Sequence, residues 1–418
     1  MPVDPDPLDR SYRALLRVPS LGRVLLGMQL ARIAQTMVSV ALVLFTLTHY
    51  HSPALTGLVI FVSLVPGLLI SPLAGALLDR HGRTKLIIVD FVVALAALTL
   101  IGLLALVGEL PAGLLVLIVG VASLTNPLSS TGLRSLFPIL VPAHLWERVN
   151  AVDSNGWIVA SIIGPPLAAG LVALVGAPIT LIGVGAVFGV AALVLIGSPD
   201  PRTVTSSSGS LLRDAWEGLQ YTWRNRTLRG LGFSLSILNL SGGMTTIVVP
   251  LLVLDHLHLG EAAVGWVFAI SGVAGIFTAF LAGRVDTHDR EWSMVIWPMF
   301  GMVVAVALLL ATDSLLLIAL SMALTGLLNG PLDIGMFTMR QRRTDPALLG
   351  RAYAVSMSFN FMGFPVGSAI AGLLAPVSLD GAIIFGVVAC LVAALIAAVL
   401  VPRVEPSVEL VQAANPSP

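Results

Sequence analysis

A handful of polar side chains stand inside long apolar runs, where an ionised group costs several kcal/mol unless it is paired or reaches water. Arg32 is the first, roughly 14 Å into its run at helical rise. Gln35 follows three residues on and can share its face. Two readings of Arg32 stay open. It can snorkel to the near surface, or it can face a central cavity and meet an anionic substrate or a carboxylate. Asp333, in Asn329-Gly330-Pro331-Leu332-Asp333, is the only acid well inside the apolar runs of the second half. It either satisfies amides freed by Pro331 or carries a proton. Carrying a proton needs a group that can bind one and release it again. Gln35 cannot titrate and Arg32 stays charged, so Asp333 is the best candidate. Asn126, Asn239, Asn329 and Asn360 are uncharged candidates for a cavity wall, or interhelical hydrogen-bonding groups.

A second cluster lies between two apolar runs, at Gly75-Ala76-Leu77-Leu78-Asp79-Arg80-His81-Gly82-Arg83-Thr84-Lys85. The chain has only 11% charged residues, so this island is conspicuous. Asp79 and Arg83 are four apart and pair if a helix runs through them. Gly75 admits a close neighbour and Gly82 permits a turn. Asp90, just beyond, is expected to pair with the island's cations. Asp153 and Asn155 are expected to cap the start of a helix.

Enzyme chemistry finds no constellation. The histidines at 49, 51, 81, 144, 256, 258 and 288 all fall in loops, and the single cysteine, Cys390, excludes an internal disulfide. No metal site and no cofactor is expected. No Gly-x-x-x-x-Gly-Lys-Ser/Thr loop is present to cradle a nucleotide, so uphill work must draw on an ion gradient. A formal net charge of zero gives no sign of nucleic-acid binding.

The elements that position these residues are legible from composition. With 57% hydrophobic residues and a mean hydropathy of +0.98, the apolar runs repeatedly reach the roughly 20 residues that a membrane helix needs. Twelve runs fall near 21–48, 54–78, 86–107, 111–136, 153–175 and 178–197, then 229–254, 262–284, 294–312, 315–339, 353–376 and 381–401. Lipid offers no partner to an open backbone, so helix is the expected conformation. Arg and Lys fall in alternate loops together with both termini; the opposite loops hold Glu109, Asp255, Glu261, Asp313 and Asp380 but no Lys or Arg. That asymmetry puts both termini in the cytoplasm of an inner-membrane protein.

The organisation follows: a lead-in over 1–20, six spans over 21–197, a linker over 198–228, six spans over 229–401 and a tail over 402–418. Ser206-Ser207-Ser208-Gly209-Ser210 reads as flexible linker, and Leu211 to Arg224 as an amphipathic helix at the membrane surface. The halves repeat. Asp79, His81 and Arg83 recur as Asp286, His288 and Arg290, while Arg148 and Gly164 recur as Arg351 and Gly367. Gly82 and Lys85 become Asp289 and Trp292, so the second copy of the loop is degraded.

The island resembles the loop signature of the major facilitator superfamily, Gly-x-x-x-Asp-Arg/Lys-x-Gly-Arg/Lys-x-Arg/Lys, with every anchor present. The resemblance implies an all-α membrane protein of twelve transmembrane helices in two six-helix repeats. It also implies a gating latch at Gly75, Asp79, Arg80, Gly82, Arg83 and Lys85, with Asp90 beside it. Gly164-Pro165-Pro166-Leu167-Ala168-Ala169-Gly170 is similar to the Gly-Pro motif of drug antiporters, with alanines in place of paired glycines, and implies close packing at Gly164, Pro165 and Gly170. Leu136-Phe137-Pro138 with Arg148-Val149-Asn150-Ala151 looks like the exporter group of macrolide-efflux and enterobactin-efflux proteins. Together these imply proton-coupled efflux of amphiphilic small molecules by a single chain. An uptake or facilitative carrier for a metabolite, and a non-transporting receptor or lipid-handling protein, are the rival readings.

Overall fold

The computed structural model describes residues 11–142, 145–198, 211–282, 290–311, 314–344 and 349–403. The first half of the lead-in, His144, Ser206–Ser210 of the linker, the second-copy residues Asp286, His288 and Asp289, Asp313 and the end of the tail lie outside these. Among the described residues every regular element is a helix. A short α1 (Tyr12–Leu16) leads into α2 (Leu21–Tyr50), α3 (Pro53–His81), α4 (Arg83–Leu106), α5 (Ala112–Ser123), α6 (Asn126–Leu140), α7 (Trp146–Val175) and α8 (Ala177–Leu195). After α9 (Leu211–Arg224) come α10 (Arg226–Leu251), α11 (Glu261–Ala282), α12 (Glu291–Ala307), α13 (Leu315–Arg342), α14 (Leu349–Leu374) and α15 (Leu379–Leu400). Among the described residues 11 helical stretches are long and apolar enough to cross a membrane, and Val159–Val175 of α7 completes twelve spans.

The breaks have local causes. Gly82 and Gly176 take φ of 95° and 84° at the starts of α4 and α8, a backbone region where a side chain is strained. The fourth span is not one helix: α5 ends at Ser123, and α6 opens at Asn126 with Pro127 in its first turn, where a missing N–H costs nothing. The fifth span begins at Trp146, seven residues before the expected start near 153, which moves Asp153 from a cap position into the helix.

The chain forms two compact units, one of 1–45 and 62–206, the other of 46–61 and 207–418. In the second, Gly57 at the start of α3 approaches α14 so closely that a Cβ would lie 2.5 Å from the Ser368 carbonyl oxygen. α10 and α14 pack backbone to backbone, with Gly363 against Ser236 and Gly367 against Leu240. Asn225 caps α10 by accepting the Leu228 N–H at 2.9 Å, while its own amide donates to the Arg343 carbonyl at 2.8 Å. Arg342 pairs with Glu291 across α13 and α12.

Candidate functional site

Among the described residues, the first unit places a charged pair inside its spans. Positions 29, 32 and 36 of α2 fall three and four apart on one stripe, and 153, 156, 160 and 164 form the facing stripe of α7. Arg32 and Asp153, 6% and 7% exposed, form an ion pair through Arg32 Nη2 and Asp153 Oδ1. Arg32 Nη1 also donates to the Asp153 carbonyl at 2.7 Å. Gln29 Nε2 donates to the Gly156 carbonyl at 3.0 Å, and Thr36 Oγ1 to the Ala160 carbonyl at 2.9 Å. The Arg32 guanidinium stands 5.7 Å from the centre of the Trp157 ring, within cation–π range. Glycine makes the approach possible: a Cβ on Gly156 would collide with Gln29, and one on Gly164 with Thr36.

Arg32 meets a carboxylate and is buried, so it does not snorkel to the surface. Asp153 is its partner and not a helix cap. Gln35 does not share that site; it is exposed, whereas Gln29, one turn earlier, is on the Arg32 stripe. Chemically, the pair is a fixed cation bonded to a buried carboxylate between two spanning helices, so the contact can open only if both charges are met in another way.

The remaining residues divide by role. Gly75, Asp79 and Arg80 fall on the last turns of α3, and their side chains lie outside the described residues. Arg83 is half-buried and Lys85 exposed at the start of α4. Asp90 is buried, and the hydroxyls of Ser129 and Thr125 on the fourth span meet it. Asn126 sits at the α5–α6 break, its amide 3.4 Å from the Ser63 carbonyl of α3. Of the span-five packing residues, Gly164 is a close contact and Pro165 lies within α7, but Gly170 faces open space, with nothing within 4 Å of a Cβ placed there.

In the second unit, Asn239 of α10 donates through Nδ2 to Asn360 of α14, at 2.9 Å to its carbonyl and 3.0 Å to its side-chain oxygen. Asn360 is buried. Asn329 and Asp333, four apart on α13, are both exposed along one face. Two turns on, Arg340 is fully buried, with Nη1 2.8 Å from the Met357 sulfur. Sequence reading does not single out Gln29 or Trp157. Their signal was the pairing of two stripes at three- and four-residue spacing.

Comparison with known proteins identifies the architecture. The sequence model of the Major Facilitator Superfamily matches residues 24–247 and again 231–416. The chain belongs to that superfamily. An uncharacterized MFS-type transporter, y4rN, of Sinorhizobium fredii is 35% identical over 91% of this chain and 95% of its own. The multidrug efflux pump Tap of Mycobacterium tuberculosis is 28% identical over 76% of this chain and 78% of its own. Macrolide efflux protein A of Streptococcus pyogenes is 20% identical over 84% and 87%. Among solved structures, the nucleoside transporter NupG, as its D323A mutant, superposes with a TM-score of 0.70 at 14% identity, over 91% of this chain and 96% of that one. The fold is therefore the major facilitator fold, built of two six-helix repeats. This superfamily member is a membrane carrier, not an enzyme.

Proposed function

We propose that this transporter exports amphiphilic small molecules by alternating access, driven by the proton gradient, as a single chain with both termini in the cytoplasm. The observation that carries the coupling is the buried Arg32–Asp153 pair. A carboxylate that must choose between a fixed cation and a proton links protonation to a change at the α2–α7 contact. Asp333 supplies a second titratable group. An exposed acid on a spanning helix faces hydrocarbon or water, and hydrocarbon costs about 2.5–3.5 kcal/mol for an aspartate at the helix centre, which favours a water-filled path. Efflux is supported by the similarity to Tap and to macrolide efflux protein A, and the cytoplasmic termini by the loop charge asymmetry. Asp79, Arg80 and Arg83 latch the cytoplasmic side in this reading.

The test is a susceptibility panel in a host lacking its own exporters, paired with drug accumulation under an imposed pH gradient. Expression raises tolerance to several amphiphilic drugs, and a protonophore removes the effect. Accumulation inside expressing cells would establish the uptake carrier instead. Cysteines at Thr84 in a Cys390→Ala background stay unlabelled by an impermeant external reagent, while those at Ser52 and Gly260 react.

A further inference from the structure

A cavity of about 280 Å³, counting the space at its mouth, opens where α9 meets α10 and α14 in the second unit. Its walls include Leu219 and Trp223 of α9, Phe233 of α10 and Phe359 of α14, so the interior is apolar. The Trp223 and Phe233 rings meet edge to face at 5.8 Å, which fixes one wall. Arg229 stands in the lining and donates from Nη1 to the Trp223 carbonyl at 3.1 Å. Among the described residues it meets no carboxylate. Arg224 and Arg226 are exposed close by in sequence, and no acid occurs between Glu217 and Asp255. Much of that volume lies at the open mouth, so the space suits part of an acyl chain rather than a whole substrate.

We propose that this cavity is a binding site for an anionic phospholipid, with its phosphate on Arg229 and an acyl segment against Phe233 and Phe359. The helix carrying one wall is built for the membrane surface. Trp216 and Trp223, seven apart on α9, are 58% and 54% exposed, the placement of interfacial aromatic anchors. α9 is tied to the spanning helices through the Thr222 hydroxyl, 3.4 Å from the Ala352 carbonyl of α14. A lipid seated here joins the linker helix to α10 and α14 through its own two ends. The proposal rests on the membrane location and not on the exporter reading.

The cavity has a built-in control. A Cβ on Gly232 would meet only the Phe359 Cβ, at 3.8 Å, so a larger side chain there enters the space without a backbone clash. The full chain, purified in detergent, is examined by native mass spectrometry with phosphatidylglycerol or phosphatidylcholine added. The expected result is one phosphatidylglycerol retained in preference to phosphatidylcholine. Arg229→Gln lowers that retention about fivefold, the size of one lost cation–anionic-lipid attraction. Gly232→Leu lowers retention by occupying the acyl space while keeping every charge, and Arg17→Gln leaves it unchanged. Equal retention of the two lipids would overturn the proposal. So would unchanged phosphatidylglycerol in both Arg229→Gln and Gly232→Leu, or its displacement from the wild-type chain by millimolar inorganic phosphate.

Discussion

The α2–α7 contact of the first unit and the α10–α14 contact of the second are repeats of one packing arrangement, filled with different chemistry. Gly164 closes on Thr36 in one, and Gly367 closes on Leu240 in the other. Around that shared backbone the first contact holds Arg32 and Asp153, where the second has Ser236 and Ser356, and about one turn along the second holds Asn239 and Asn360. Both sets satisfy their hydrogen bonds, so neither is needed merely to hold two helices together. The charged version carries a desolvation cost that the amide version avoids. Retaining it in one repeat alone fits a coupling element placed in the first unit, with the second giving a rigid, uncharged counterpart.

The largest effect expected follows from that contrast. Removing one partner of a buried ion pair leaves an uncompensated charge and typically costs about 3–5 kcal/mol. Arg32→Gln or Asp153→Asn alone should therefore sharply reduce folded protein in detergent. The double variant replaces the charges by amides, the groups that join α10 to α14 one turn along, and should recover most of the folded protein. Its gradient-driven transport should stay absent. Single variants as abundant and as heat-resistant as the wild type would show that the pair is not the buried element described.

Asp333 sharpens the comparison from the other unit, because it is exposed and interacts with the buried Arg340 across two turns of α13 rather than in a direct ion pair. Asp333→Asn takes a charge away from the buried Arg340, so it should lower folded protein somewhat, though less than either single variant of the Arg32–Asp153 pair, yet abolish accumulation driven by a pH gradient. Counterflow exchange of substrate should survive. Full gradient-driven transport by this variant would leave Asp153 as the proton site and remove Asp333 from the mechanism.

The loop copies give a smaller, kinetic difference. Asp79→Asn and Arg83→Ala should slow transport without a matching loss of folded protein, and Asp286→Asn should do less, because the second copy has lost Gly82 and Lys85 to Asp289 and Trp292. Equal slowing at Asp79 and Asp286 would mean that the two copies act alike.

Long elements were legible because hydrocarbon leaves a run of apolar residues one conformation, and the duplication could be read from Gly164 and Gly367 before any contact was known. What could not be read was which polar residue faces which. The start of α7 is the clearest case. Trp146 to Asp153 is too polar for an apolar window to include, so Asp153 seemed to stand at a helix end, when it is two turns inside and opposite Arg32. Asp90 shows the same limit: sequence proximity points to the loop cations and says nothing of Thr125 and Ser129, which helix packing brings to it. Gln35 and Gln29 flank Arg32 at equal spacing, and only the position of α7 distinguishes them.

The smallest predicted effect tests whether the amide contact is as uncharged in its energetics as in its chemistry. Hydrogen bonds between membrane helices average about 0.6 kcal/mol, because the separated helices also find partners. Asn360→Ala removes one of two acceptors of the Asn239 amide but leaves the Asn360 backbone carbonyl at 2.9 Å, so it should cost about that much. Asn239→Ala removes both bonds and strands the buried Asn360 side chain, and should cost more. The double variant should cost little beyond Asn239→Ala alone, since the two side chains share a single hydrogen bond. Thermal unfolding of the purified variants measures all three. A coupling between Asn239 and Asn360 as large as that between Arg32 and Asp153 would erase the difference between the repeats, and the charge in the first unit would then need an explanation other than coupling.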